Sequence, residues 1–125
     1  MTAGDIKGSE VVITTVTYGA TVTVGQLLHL ESDGKWEPTA DGDKGKFAVA
    51  LDAGADTETG RVVLLGRVDV TSGTTSTIPK GAVVMAGAAG TVVETDHGAV
   101  GENAGTAMEA ITGSGTGTVY VGLVE

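Results

Sequence analysis

Cysteine is absent, which excludes disulfides, thiolate catalysis and cysteine-ligated metal sites. Aromatic residues are limited to Tyr18, Trp36, Phe47 and Tyr120. They are too few for a base-stacking platform and few for a sugar-binding cleft. Lys and Arg total 7 against 16 Asp and Glu, a net charge of −9. Such a chain repels phosphates rather than releasing their counterions, so DNA and RNA are poor partners. No apolar run approaches the ~20 residues of a membrane helix, so no membrane is expected. The opening MTAGDIKGSE lacks the basic and apolar regions of a signal peptide. Long helices are missing too. The best candidate, residues 99–111, is interrupted by Gly101 and Gly105.

What is present favours strands. Val, Thr and Ile number 18, 19 and 4 among 125 residues. These side chains are stiff at χ1 and fit a pleated sheet. The length suits one domain. The 21 glycines are scattered and cut the chain into short segments. Apolar residues alternate at period two over Phe47, Val49 and Leu51, over Val62, Leu64, Val68 and Val70, and over Val119, Val121 and Leu123. Strands are expected near 11–18, 20–30, 46–52, 61–71, 82–86, 91–95, 106–112 and 117–124. Ser32-Asp33-Gly34 signals a hairpin turn, and Ile78-Pro79-Lys80-Gly81 a turn that ends strand pairing. Residues 1–10 hold few apolar side chains and read as a flexible N-terminal arm before a single β domain over 11–125.

The chain repeats its own pattern. Gly25-Gln26-Leu27-Leu28 and Gly34-Lys35-Trp36 match Gly81-Ala82-Val83-Val84 and Gly90-Thr91-Val92. The run from Gly45 to Leu51 matches the run from Gly105 to Ile111, and Gly60-Arg61-Val62 matches Gly117-Thr118-Val119. One strand meander used twice is expected, closing into a small β-barrel or facing itself as a sandwich. Some strands are apolar on both faces. Val63 and Leu65 lie opposite Val62 and Leu64, and Val83 and Met85 opposite Val84 and Ala86. Val63, Leu65, Val83 and Met85 are therefore candidates for a subunit interface.

Catalytic chemistry finds little footing. His29 lies on a strand and His97 in the turn-like Thr95-Asp96-His97-Gly98. No serine sits in a nucleophile-elbow setting. The two histidines, with Glu31 and Asp96, lack the fixed spacing of a zinc site. Asp41-Gly42-Asp43 opens like a calcium loop, but Gly45 supplies no ligand at the fifth position and Lys46 stands where glycine is required. No glycine spacing makes a phosphate loop. No cofactor, metal or enzymatic activity is expected. Charge is uneven, since residues 81–125 carry no Lys or Arg. An acidic surface of this kind suits solubility or docking onto a basic protein.

Three runs together resemble the capsid cement, or decoration, proteins of tailed phages. The first is Val24-Gly25-Gln26-Leu27-Leu28 with Phe47-Ala48-Val49-Ala50-Leu51-Asp52-Ala53-Gly54-Ala55. The second is Gly60 to Val68 with Ile78 to Val84, and the third Gly117 to Leu123. The resemblance covers roughly residues 10–125. Members of that family are often labelled recombinases, a label that would require the nucleotide loop this chain lacks. The resemblance implies a non-enzymatic β-sandwich or barrel, a virion structural protein on the outer capsid surface. It implies a partner, the major capsid protein, and a homotrimer that clamps neighbouring capsid subunits. Terminal arms make such contacts in that family, which singles out Ile6, Lys7, Val11, Val12 and Ile13. The alternatives are a tail, fibre or vertex module and a ligand-binding β-domain.

Overall fold

The computed structural model describes residues 3–4, 6–41, 43–94 and 103–122, with residues 6–10 described by their backbone alone. His97 and Gly42 lie outside them. The described chain is nearly all β. Nine strands run in order: β1 (Ile6–Thr17), β2 (Leu27–Leu30), β3 (Trp36–Pro38), β4 (Phe47–Ala50), β5 (Thr59–Thr71), β6 (Val83–Ala86), β7 (Val92–Glu94), β8 (Asn103–Ala107) and β9 (Thr116–Val121). They form one curled antiparallel sheet in the order β3-β2-β4-β5-β9-β8-β6-β7, with β1 paired to β5. A 3-10 turn, Ala88–Gly90, links β6 to β7. The expected all-β class, barrel-like and curled, is what forms.

The order reads the same from either end, and this expresses the duplication. β2, β3, β4 and the first part of β5 correspond to β6, β7, β8 and β9. Several backbone hydrogen bonds repeat between the halves. Val22 and Gly54 exchange a pair of bonds at 2.7 and 3.0 Å, and Ile78 and Ile111 exchange a pair at 2.8 Å. Gly25 donates to the Ala50 carbonyl and Gly81 to that of Ala107, both at 2.8 Å. Parallel bridges join Tyr18 to Trp36 and Ser72 to Val92. Even the left-handed residues match. Gly25 and Gly81 have φ of 88° and 87°, and Thr57 and Ser114 have φ of 73° and 60°. A non-glycine residue there costs energy, so keeping it twice means that both turns need it.

The register differs from expectation at one point. The bonds of Ala50 and Ala107 make these residues equivalent, so Gly45 does not correspond to Gly105. β8 accordingly begins at Asn103 and ends at Ala107, earlier than the expected 106–112. Gly105 has its own reason to be glycine: a Cβ there would strike the Tyr120 carbonyl oxygen. Likewise the expected strand 20–30 is regular only over Leu27–Leu30, because Val22 pairs alone with Gly54. The arm expected over residues 1–10 is in part strand. Ile6 pairs with Val68 and Lys7 with Arg67, and Gly4 donates to the Asp69 carbonyl at 2.7 Å. Backbone pairing here needs no apolar side chains, so composition does not reveal it.

β5 joins two cores. Its first part carries Val62 into a cluster with Tyr18, Val22, Leu28, Trp36, Ala48 and Ala50. Beyond Gly66 it carries Val68 and Val70 into a larger cluster with Val84, Val92, Ile78, Ile111, Val119 and Val121. Leu27, Val49 and Val63, on the other face of the first half, also enter this second cluster. The second half of the molecule therefore packs its inner face on the back of the first.

Candidate functional site

The residues expected to touch a capsid lie along one strand. Val11 is half-buried, Val12 is 47% exposed and Ile13 41% exposed. Ile6 and Lys7 lie on the same strand further back. From Val11 to Thr17 every residue is Val, Ile or Thr, and none is charged. Val12 stands opposite Leu65 and Ile13 opposite Val63, so Leu64 is an extra residue on β5. Four residues of β1 face Gly66 alone, between the pairs Lys7–Arg67 and Val12–Leu65. Among the described residues β1 pairs with β5 only.

The four interface candidates do not stay together. Val63 is fully buried in the protein's own core, which removes it from any interface. Alternation around Val62 gave two apolar faces, and packing between the halves uses both. Leu65 is half-buried beside Val12. Val83 and Met85 are half-buried on the back of β6, opposite Val84 and Ala86 in the core. Their row continues across the sheet. Val83 pairs with Thr106, Thr106 with Tyr120, and Tyr120 with Arg67, while Met85 pairs with Val93. This row is the second-half counterpart of Leu27, Val49 and Val63, which are wholly covered. Sequence reasoning missed Thr106, Tyr120 and Val93. Tyr120 was legible, since it alternates with Val119 and Val121.

Charge concentrates at the β2–β3 hairpin. Burial, then Glu31, Asp33 and Asp56, push the Glu37 carboxyl above its ordinary value. His29 holds its Nδ1 2.5 Å from Glu31 Oε2, and its Nε2 meets the Lys44 carbonyl. It is tied into its own hairpin and loop, and His97 lies outside the described residues. Among the described residues no group of three metal-ligating side chains converges. Arg61 grips Asp52 with Nε and Nη2 at 3.0 and 2.9 Å, and its backbone N–H donates to the same carboxylate at 2.8 Å. Those bonds hold the Asp52 carboxyl down at about 2. The second half repeats the backbone part: Thr118 N–H donates to Glu109 Oε2 at 3.0 Å. Both carboxylates thus cap the entry of a strand, a structural task. A cleft of about 320 Å³ is bordered by Trp36, Lys46, Phe47, Leu64, Asn103 and Gly122. Its walls are mainly apolar and hold one cationic side chain.

A site built of strand face and strand edge suits contact with another protein. A family model described as phage cement protein matches residues 6–123. The chain belongs to the phage cement protein family. No curated protein matches it. Among solved structures, the N base of the head fiber gp8.5 in bacteriophage phi29 is similar, with a TM-score of 0.65 and 22% sequence identity. The match covers 90% of this chain and 94% of that one. This second likeness shows a shared fold. As a member of the cement family, the protein is a virion structural component. Among the described residues its apolar surface includes the exposed Val12 and Ile13 on β1 and the half-exposed Val83 and Met85 on β6.

Proposed function

We propose that this cement protein binds the outer surface of an icosahedral phage shell and holds neighbouring major capsid subunits together, as a homotrimer. The family match over residues 6–123 carries this reading. The surfaces are consistent with it. β1 offers an uncharged apolar stretch for the shell, including Val11, Val12 and Ile13. The back of β6, with Val83 and Met85, offers a separate apolar face for a second copy, and Leu65 borders the first. The mechanism is mass action. A protein that binds only the assembled lattice stabilises it by its own binding free energy. Three linked copies gain avidity without strong single contacts.

Co-sedimentation with shells assembled from the major capsid protein of the same phage tests it. Binding, with a rise in the shell's disassembly temperature, is the expected result. Absence of binding to such shells overturns it. The likeness to a head-fiber base favours a second reading, in which the protein seats a fibre on the shell. That reading predicts a fibre carried wherever the protein sits on the shell, a tail module predicts few copies per particle, and cement predicts copies in numbers comparable to the capsid protein.

A further inference from the structure

We propose that the free edge of β1 over Val11–Thr17 is a strand-addition site, filled by an extended segment of the major capsid protein. The inference rests on the shell-binding reading and specifies how that contact is made. Edge strands expose a row of unpaired N–H and C=O groups, and proteins that keep such edges bare protect them with Lys, Pro or inward charges. This edge has none of those residues. Val11-Val12-Ile13-Thr14-Thr15-Val16-Thr17 is seven β-branched residues in succession, the composition best suited to accept a further strand.

The duplication supplies the second argument. The counterpart of residues 12–17 is the second part of β5, and neither of its edges is bare at the corresponding level. Arg67 and Val68 pair with Tyr120 and Val119 on one side and with Lys7 and Ile6 on the other. Extended chain thus already lies along the equivalent edge in the second half. Among the described residues, the edge in the first half has only β5 beside it. Among the described residues Val12 and Ile13 are two of the three large apolar side chains left exposed, and both flank this edge. Because they point to opposite faces of the sheet, an incoming strand with apolar residues on both faces would cover them while its backbone satisfies the ladder. Main-chain pairing supplies affinity in such contacts, and the alternating side chains supply register.

Hydrogen–deuterium exchange at residue resolution, on the free protein and on the protein bound to shells, reads the difference directly. In an antiparallel pair, alternate residues point their N–H away from the partner strand. In the free protein the outward amides of residues 11–17 should exchange fast and the inward ones slowly. On the shell, the outward amides should slow by about tenfold or more. Binding without that slowing overturns strand addition and leaves the shell-binding reading standing. Failure to bind shells overturns both. Slow outward amides in the free protein also overturn the proposal, since a second copy or another segment of the chain would then hold the edge. Val12→Lys provides an independent check, because a charge on an edge resists pairing. It should weaken shell binding at least about tenfold, while Thr23→Lys, on an exposed residue elsewhere, should not. Undiminished binding by a folded Val12→Lys protein contradicts the proposal.

Discussion

The Asp52 carboxylate accepts three hydrogen bonds from Arg61, one of them from the backbone where β5 begins. Its carboxyl is held at about 2, below the ordinary 3.8, chiefly by the guanidinium and then by the backbone N–H. A carboxyl depressed on folding adds stability above its unfolded value. That contribution fades as pH falls from 3.8 through about 2. Asp52→Asn should therefore lower the melting temperature at neutral pH and flatten the loss of stability over that acid range. Melting curves recorded from pH 5 to pH 2 check this, and an unchanged acid slope would contradict it. The pair is solvent-exposed, so its contribution is modest. Little of this was legible in the sequence. Asp52 and Arg61 stand in the sequence only within longer runs of the repeat and the family resemblance, and nothing there pairs them. A carboxylate nine residues before a backbone N–H leaves no local signature.

Strands are where the sequence spoke most clearly, through period-two alternation in β4, β5 and β9. It was least reliable where pairing is carried by a single bridge or by backbone alone. An isolated bridge from Val22 to Gly54 closes the first half and one from Ile78 to Ile111 closes the second, and no periodicity announces one residue. The register of the duplication slipped because glycines served as its landmarks, and Gly105 is glycine for close packing rather than for a turn. Ile78 and Ile111 face each other fully buried. Ile78→Ala and Ile111→Ala should each cost about 3 kcal/mol. Because they are neighbours, the double variant should lose less than the sum. Denaturant titration of the three variants measures this, and strict additivity would contradict a shared packing site.

For the whole molecule, the all-β class and the double meander were legible from composition and glycine spacing. The packing of one half on the back of the other was not. It depends on which of two apolar faces is covered, and Leu27, Val49 and Val63 look no different in sequence from Val83 or Met85. Structure separates them: the first set is core and the second is half-exposed surface. If Val83 and Met85 meet a second copy, Val83→Asp with Met85→Asp should convert a trimer to monomer in light scattering without loss of β structure. A wild-type protein that stays monomeric at high concentration would contradict a preformed trimer. A cement protein covers the shell. Quantitative mass spectrometry of purified particles tests it most directly, by giving the copy number of this chain relative to the major capsid protein. Cement predicts comparable numbers of the two chains. A few copies per particle, or none, would contradict it.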